Sequence, residues 1–266
     1  NLLSENNFND KSFWNSIKND FRYNLWDIDE INPRASNFKQ LFTKICDQYA
    51  KKNKVSSNKI KYYIDHTTEN LEYSIYLSKL FPNSKFIHIV RDVRGCASSV
   101  IKLDWGPNDV FEANSWWNRS LAYGLAAELY LKEKIIRIKY EDIINNPQES
   151  LNKIYLFLDL KSDDLNERTV KRNFLPKYTL NQHFHVGKSL QKSRVYAWKK
   201  QLSKYEIIYL EKKSAHLLNL LGYSIDLKLI GNHSVGFWFK FYMKMSSFFK
   251  RNLVNKLRIY VRKKKN

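Results

Sequence analysis

The stretch that decides the fold is Lys85–Asp92, which reads KFIHIVRD. Its almost continuous apolar run has the length of a strand and is typical of a strand buried in a parallel sheet. We predict a strand over Lys85–Val90 and a helix after it, through Ala97 to Ile101. Arg91 then stands where the strand ends, and ligands of open α/β sheets bind beyond the carboxyl ends of the strands.

Arg91 and Ser99 are the first candidate binding residues at this corner of the fold. The guanidinium of Arg91 is planar and suits a phosphate, and the hydroxyl of Ser99, eight residues later, can add a hydrogen bond from the helix. The alternative, on residue types alone, is an Arg–Asp surface pair that caps the helix.

Strands and helices alternate on both sides of this segment. Lys59–Ile64 (KIKYYI) and Ile135–Tyr140 (IIRIKY) are the other predicted strands. A helix is predicted to end at Pro82, and Asn114–Leu131 is predicted to be a second long helix. This alternation predicts an α/β fold in which helices cover both faces of a parallel sheet.

Two later helices are predicted from their caps. Asn146 precedes a proline at the first helical position, Pro147. Ser203 and Glu206 form a capping box, and Gly222 is the expected end of that second helix.

The composition narrows the classes of function. Among 266 residues, Lys and Arg outnumber Asp and Glu by 46 to 26, and a net charge of +20 favours anionic partners. Helix-turn-helix, zinc-finger and RNP patterns do not occur, so no nucleic-acid partner is expected. The first of only seven glycines is Gly95, which excludes a Walker or Rossmann phosphate loop from residues 1–94.

The cysteines and the apolar pattern bear on the compartment. Cys46 and Cys96 match no metal or redox spacing, so we predict free thiols in a reducing compartment and no metal site. No apolar leader follows Asn1, and no run of eighteen apolar residues occurs. We therefore expect a cytoplasmic protein.

A series of short pieces follows in a consistent order between residues 59 and 223. The pieces are Asp65-His66-Thr67-Thr68-Glu69-Asn70, Leu80-Phe81-Pro82, Lys85–Asp92, Trp105-Gly106-Pro107, Arg137-Ile138-Lys139-Tyr140-Glu141-Asp142, the Asn146-Pro147 helix, Arg194 with Trp198, and Leu221-Gly222-Tyr223. In this order they strongly resemble the sulfotransferase family that uses 3′-phosphoadenosine-5′-phosphosulfate (PAPS). The resemblance implies the P-loop-type fold of that family.

The resemblance also implies roles for individual residues. The family's Arg and Ser that match Arg91 and Ser99 hold the 3′-phosphate of the donor, and the Tyr that matches Tyr140 lies against the adenosine. A basic loop before a Trp, here around Lys192, Ser193 and Arg194, closes over the same phosphate. PAPS is then the co-substrate, and the family needs no metal.

His66 marks the first departure from the family pattern. Many relatives read Asp-Lys-Thr-Pro where this chain reads Asp65-His66-Thr67-Thr68. The family's Lys is a cation near the transferring sulfonate, so His66 is the catalytic candidate, either as a protonated cation or as an acid or base. The alternative is a hydrogen-bonded histidine at a strand end.

The second departure is the family's 5′-phosphosulfate loop, a first strand and a Gly/Ser/Thr-rich turn, which has no counterpart in the sequence. We expect a chain truncated at its N-terminus that lacks this strand and loop and is inactive alone. Residues 1–58 should be helical, and the sheet should expose apolar edges where a strand is missing.

The composition shifts after Tyr223, which predicts a boundary there. Residues 1–223 are then the partial sulfotransferase domain that the resemblance implies, and residues 224–266 are a basic helical tail. From Phe237 onward aromatic side chains interleave with cations, as in helices that lie at membrane interfaces. An anionic membrane surface is therefore a candidate partner of residues 237–265, with peripheral localisation on it. The alternative is a terminal helix docked on the domain with a solvated basic end.

The resemblance predicts transfer of a sulfonate from PAPS to a hydroxyl or amine. The acceptor is open among a carbohydrate, a lipid-linked sugar or glycolipid, and a peptide, because acceptor pockets are built from variable loops. The rival reading is a non-enzymatic basic protein that binds membranes or polyanions and retains a nucleotide-binding fold.

Overall fold

The computed structural model describes residues 11–12, 15, 35–52, 54–56, 60–103, 105–160, 189–226 and 236–264. The chain forms two compact units, Asn1–Ser84 and Lys85–Asn266. The expectation that residues 1–58 are helical falls largely outside the described residues.

The described part of the first unit contains the α-helices α1 (Phe38–Lys52) and α2 (Ser74–Leu80) and a 3-10 turn at Thr68–Leu71. The buried Leu41 anchors α1. Phe42 and Phe81 pack edge to face with their ring centroids 5.3 Å apart. The helix predicted before Pro82 is confirmed as α2.

The predicted strand Lys59–Ile64 is wrong over the part that the structure describes. Residues 60–64 have no regular secondary structure, and Lys59 lies outside the described residues. The side chain of Ile64 is 86% exposed, so the apolar alternation in this segment is not matched by a buried face. A strand is stabilised by its pairing, and the described part of the first unit offers no partner strand.

The described part of the second unit is mostly helical, with one small sheet. Its elements are β1 (Phe86–Val90), α3 (Val93–Val100), α4 (Val110–Leu131), a 3-10 turn (Lys132–Lys134), β2 (Ile135–Lys139), α5 (Tyr140–Asn145), α6 (Pro147–Phe157), a 3-10 turn (Lys192–Arg194), α7 (Trp198–Gln201), α8 (Lys204–Leu220), α9 (Phe237–Phe249), a π-helical turn (Lys250–Val254) and α10 (Asn255–Lys264).

The sheet of the described residues has two parallel strands, β1 and β2, in the register Phe86↔Ile135 to Val90↔Lys139. Both strands were predicted from their apolar runs, and the parallel pairing is confirmed. This architecture is consistent with an α/β fold, with a sheet smaller than the alternation predicted.

One face of β1 is open to solvent. His88 and Val90 are buried, whereas Ile87 is 39% and Ile89 is 56% exposed. The prediction of a strand buried on both faces is therefore wrong for one face. An unbroken apolar run does not distinguish a strand that is covered on one face from a strand that is covered on both.

The core of the second unit lies where α3, α4 and α8 meet. Val93, Val110, Leu210 and Leu218 are fully buried there together with Trp117 and other apolar side chains. Burial of side chains of this size contributes about 1.5–3 kcal/mol each.

Side-chain caps fix where these helices begin. Asp92 accepts a hydrogen bond from the backbone N–H of Arg94 (2.8 Å) at the start of α3, and Asp109 does the same for Glu112 (2.8 Å) at α4. The Ser203–Glu206 capping box is present at α8, as predicted. Because Asp109 caps α4, this helix begins earlier than the predicted Asn114. Each cap is worth about 0.5–2 kcal/mol.

A close approach of α4 to the sheet depends on Gly124. A Cβ atom at Gly124 would lie 2.1 Å from Cε1 of His88 on β1. The imidazole Nδ1 of His88 lies 2.7 Å from Oε1 of Glu128, which also accepts a hydrogen bond from Nε of Arg137 (2.8 Å). One carboxylate thus ties α4 to both strands.

Candidate anion-binding site

The carboxyl ends of β1 and β2 bring two predicted site residues together. Because Val90 pairs with Lys139, Arg91 and Tyr140 leave the sheet side by side. The guanidinium carbon of Arg91 lies 4.2 Å from the centroid of the Tyr140 ring. This is a cation–π contact, and it fixes the guanidinium over the edge of the sheet.

The backbone of Arg91 is held by a hydrogen bond, whereas one donor of its side chain has no acceptor among the described residues. The indole Nε1 of Trp117 donates to the carbonyl oxygen of Arg91 (2.9 Å), which locks the corner. Nε of Arg91 is buried and has no hydrogen-bond partner among the described residues. A buried donor without an acceptor costs about 1–3 kcal/mol of stability. A bound anion that accepts a hydrogen bond from Nε would remove this cost.

Gly95, in the first turn of α3, leaves room for this guanidinium. A Cβ atom at position 95 would stand 3.0 Å from Nε of Arg91. The glycine therefore allows the Arg91 side chain to lie close to α3, and a larger residue would displace Nε of Arg91, the atom that lacks a hydrogen-bond partner among the described residues.

Three further side chains shape the edge. Nζ of Lys139 lies 5.0 Å from the centroid of the Tyr223 ring. The hydroxyl of Tyr223 donates to Oε2 of Glu141 (2.8 Å), and Oε1 of Glu141 accepts from the backbone N–H of Asp92 (3.2 Å). Burial, and after it the Glu141 carboxylate, raise the pKa of Tyr223, so its hydroxyl stays protonated and keeps donating.

Lys139, Glu141 and Tyr223 were not predicted as site residues. The signal was present for two of them, since Lys139 and Glu141 flank Tyr140 at the end of a predicted strand. Tyr223 is distant in sequence, and only the packing of the segment after α8 brings it to the edge.

Arg94 is not available to a ligand in the same way. Its guanidinium donates to Asp92 through Nε (2.9 Å) and Nη2 (2.6 Å), to Glu211 through Nη1, and to the carbonyl oxygen of Ser224 (2.9 Å). It also lies 4.3 Å from the centroid of the Trp198 ring. The Arg–Asp pair that was the alternative for this motif does exist, but it is buried and uses Arg94 rather than Arg91.

Ser99 and the basic loop are the other residues predicted to bind the donor phosphate. Ser99 is half-buried on α3, Lys192 and Ser193 are exposed in their 3-10 turn, and Arg194 is half-buried. Within the described residues, none of these side chains is hydrogen-bonded to Arg91. Their assignment to the donor phosphate stays a prediction.

His66 lies in the first unit and is exposed. Its neighbour Asp65 accepts hydrogen bonds from the backbone N–H (2.9 Å) and the hydroxyl (2.7 Å) of Thr67. Burial alone raises the pKa of Asp65, but hydrogen bonds from Asn70 and Thr67 outweigh it and lower the pKa, so an anion stands beside His66. The described residues show no strand before His66, so that part of the alternative is wrong, and the role of His66 stays a prediction.

Other chemistries find little support in the described part of the chain. Cys46 and Cys96 are free thiols, and burial raises the pKa of Cys96 to about 11, so it stays protonated at neutral pH. The described residues contain no group of three or more His, Cys, Asp or Glu that could hold a metal ion. Among the helices described, none is long and apolar enough to cross a membrane.

A cavity of about 570 Å³ lies away from the sheet edge. It is lined by residues of α4 with its cap, α8, α9 and the π-helical turn, including both acids and bases: Asp109, Glu112, Lys213, Lys244 and Arg251. Its mixed charges do not match a polyanionic ligand, so the sheet edge remains the better anion site.

Comparisons with known proteins point to one family. The model of the Sulfotransferase family matches residues 11–164. Protein-tyrosine sulfotransferase 2 of Gallus gallus is 29% identical over 111 residues, which is 39% of this chain and 30% of that protein. Carbohydrate sulfotransferase 1 of Rattus norvegicus is 26% identical over 162 residues, which is 54% of this chain and 39% of that protein.

The chain therefore spans about a third of the length of these curated relatives. The matched family region contains both strands of the sheet and the Arg91–Tyr140 contact at their carboxyl ends. It covers more than half of the chain, and it confirms the resemblance seen in the ordered sequence pieces: the chain belongs to the Sulfotransferase family.

Proposed function

We propose that the protein is a sulfotransferase that takes its sulfonate from PAPS and binds the 3′-phosphate of this donor at the carboxyl edge of the sheet. The observation that carries the proposal is the buried Nε of Arg91, which lacks an acceptor while the guanidinium is held over Tyr140. A phosphate oxygen is an acceptor of matching charge, and Arg binds phosphate through parallel N–H groups.

The remaining predicted residues complete this proposal. Ser99 adds a hydroxyl from α3, Tyr140 lies against the adenosine, and Lys192, Ser193 and Arg194 close over the phosphate. His66 supplies a cation or a proton-transfer group near the sulfonate. PAPS is a co-substrate, and no metal takes part.

The proposed reaction is an in-line transfer. The bond between the sulfonate sulfur and the phosphate oxygen of the donor breaks, and a bond forms from this sulfur to the acceptor oxygen or nitrogen. The acceptor proton passes to a base or to solvent, and adenosine 3′,5′-bisphosphate leaves. Positioning and charge stabilisation account for catalysis of this kind without a covalent intermediate.

The acceptor is proposed to be a hydroxyl of a carbohydrate or of a peptide tyrosine. The names of the matched relatives support this class, since they are carbohydrate and protein-tyrosine sulfotransferases. A glycolipid would present the same sugar hydroxyl.

The test is calorimetric binding of adenosine 3′,5′-bisphosphate to the full chain, which needs no acceptor. Arg91→Ala should weaken binding by about 10- to 150-fold, which corresponds to about 1.5–3 kcal/mol for charge-assisted hydrogen bonds. Arg119→Ala is the matched control, because Arg119 is an exposed arginine in the middle of α4. Equal affinity of Arg91→Ala and the unchanged protein would overturn the donor site.

The same binding measurement separates the rival reading from the proposal. A non-enzymatic polyanion-binding protein would bind inorganic polyphosphate as tightly as the bisphosphate, with no special loss in Arg91→Ala. Transfer of labelled sulfonate from PAPS to a panel of carbohydrates and tyrosine peptides then tests catalysis directly.

A further inference from the structure

The last helices of the second unit present a long apolar stripe to solvent. α9, the π-helical turn and α10 follow one another without interruption from Phe237 to Lys264. Large apolar side chains recur along them every three or four residues and are 48–77% exposed: Trp238, Phe241, Met245, Phe249, Leu253 and Leu257. Residues at this spacing lie on one face of a helix, so the exposed set forms one continuous surface.

The opposite side of this segment is fixed to the second unit. Ser247 and Asn255 are buried, and Nδ2 of Asn255 donates to Oδ1 of Asn108 (2.9 Å). Lys250 donates to the carbonyl oxygen of Ile101, and Arg251 pairs with Glu112 at the start of α4. Because these polar contacts hold one side of the helix, the apolar stripe cannot turn inward to bury itself.

The π-helical turn keeps the stripe straight. In an α-helix, residues spaced four apart rotate gradually around the helix axis. A π turn holds more residues than an α turn, so it reverses part of this rotation. Phe249 before the turn, Leu253 within it and Leu257 after it consequently stay exposed on the same side. Asn255 stays on the docked side, as Ser247 does.

The charges beside the stripe select the kind of partner. Every charged residue from Phe237 to the end of the chain is Lys or Arg. Lys244 and Lys256 are exposed along the described part of the segment, and the exposed Arg258 donates one hydrogen bond to the carbonyl oxygen of Lys102 (3.3 Å). A second copy of the chain would bring like charges together, and a nucleic acid would leave the large apolar stripe in water. An anionic lipid surface takes up both the cations and the apolar side chains.

We propose that this stripe is the membrane-facing side of an interfacial helix, which lies in the headgroup plane of a bilayer that contains anionic lipid. From Phe237 to Val261 the helix would contact the bilayer along about 37 Å, at 1.5 Å per residue. Its docked side would hold the second unit against the membrane. The proposal is independent of the donor site, since no residue of the sheet edge takes part.

The experiment is cosedimentation of the full chain with vesicles of phosphatidylcholine alone or with 30% phosphatidylserine, at low and at high salt. The unchanged protein should bind the phosphatidylserine vesicles and lose most of this binding at high salt. Phe241→Ser, Met245→Ser and Phe249→Ser combined should weaken binding at least about tenfold, because the apolar contact is lost. Lys244→Gln and Lys256→Gln should weaken it about fivefold for each charge removed.

The matched control for the apolar substitutions lies on other helices of the same unit. Leu129 on α4 and Leu156 on α6 are 80% and 79% exposed, so Leu129→Ser with Leu156→Ser removes exposed apolar surface outside the stripe. This control should bind vesicles as the unchanged protein does. Circular dichroism and urea unfolding of each variant check that the fold is retained.

Two results would overturn the proposal. One is vesicle binding that survives loss of the apolar stripe and is matched by a DNA duplex, which would make the segment a general polyanion binder. The other is absence of vesicle binding together with a dimer in light scattering that the triple serine variant abolishes, which would make the stripe a contact between copies.

Discussion

Arg91 at the carboxyl edge of the sheet and Arg94 in the first turn of α3 lie three residues apart in opposite surroundings. Arg94 is buried and satisfied by Asp92, Glu211 and a backbone carbonyl. Arg91 lies over Tyr140, and its buried Nε has no acceptor among the described residues. In the interior, the protein itself satisfies the hydrogen bonds of the arginine. At the edge, a ligand would have to supply the missing acceptor.

The difference shows that the sequence of a motif alone does not say which of its residues binds a ligand. Both arginines belong to the same RDVR segment, and residue type makes each a candidate phosphate ligand. Only the hydrogen-bond inventory separates them, because an acid partner removes Arg94 from ligand binding while Arg91 keeps an unused donor. The comparison predicts that interior substitutions change stability and that edge substitutions change binding.

The largest effect is expected for Arg94→Met. This change leaves two buried carboxylates, Asp92 and Glu211, without their cation, and should lower the free energy of unfolding by about 3–5 kcal/mol. Arg91→Met is the matched control and should change it by less than about 1 kcal/mol, since a cation–π contact is lost while an unpaired donor is removed. Urea unfolding of the full chain measures both, and similar losses would break the comparison.

The next effect comes from one substitution made in both regions. Gly124→Ala places a methyl group against the buried imidazole of His88 and should cost about 1–3 kcal/mol. Gly95→Ala brings a methyl group to 3.0 Å from Nε of Arg91, a contact that a shift of a few tenths of an ångström relieves, so the free energy of unfolding should change by less than about 1 kcal/mol. Its cost should appear instead as weaker binding of adenosine 3′,5′-bisphosphate.

These two glycine variants are checked by urea unfolding and calorimetry on the same protein preparations. Combining Gly124→Ala with His88→Ala should recover stability relative to Gly124→Ala alone, because the clash is removed. A loss of stability in Gly95→Ala as large as in Gly124→Ala would contradict the distinction between edge and interior.

Much of the edge could be predicted from sequence because its signals are local. The apolar runs of β1 and β2 end at Arg91 and Tyr140, and parallel strands place their carboxyl ends together. The capping box at Ser203 is a local signal as well, and it is present.

The interior could not be predicted in the same way, because its partners are far apart in the chain. Arg94 meets Glu211, and His88 meets Gly124 and Glu128, and no spacing rule connects such positions. The predicted strand Lys59–Ile64 is wrong for a related reason, since its alternation carried no information about a partner strand.

A smaller effect is expected where the two regions meet. Tyr223→Phe removes one hydrogen bond to Glu141, which also receives the backbone N–H of Asp92, and should cost about 0.5–1.5 kcal/mol of stability. Binding of the bisphosphate should stay within about twofold of the unchanged protein, because Arg91 and Tyr140 keep their contact. Calorimetry decides this point, and a loss of binding comparable to that of Arg91→Ala would place the Tyr223–Glu141 pair within the ligand site.

The smallest effect concerns pH and the interior alone. Burial lowers the pKa of His88 and outweighs the Glu128 carboxylate, which raises it. The unfolded chain, whose histidine titrates near about 6.5, therefore binds a proton more readily than the folded chain as the pH falls. The stability that His88 contributes is present above about pH 6.5 and is lost below it, by at most about 0.7 kcal/mol between pH 7 and pH 6.

The non-titrating variant His88→Gln isolates this effect, since glutamine can still donate a hydrogen bond to Glu128. Urea unfolding at pH 7 and pH 6 should show a smaller drop for His88→Gln than for the unchanged protein. The lowered pKa values of Glu112 and Glu128 do not interfere, because carboxylates of this kind lose their contribution only as the pH falls through a lower range, below about 4.3. If the free energy of unfolding falls equally in the two proteins, His88 is protonated in the folded state without loss of stability. The distinction between the interior and the edge would then not apply to His88.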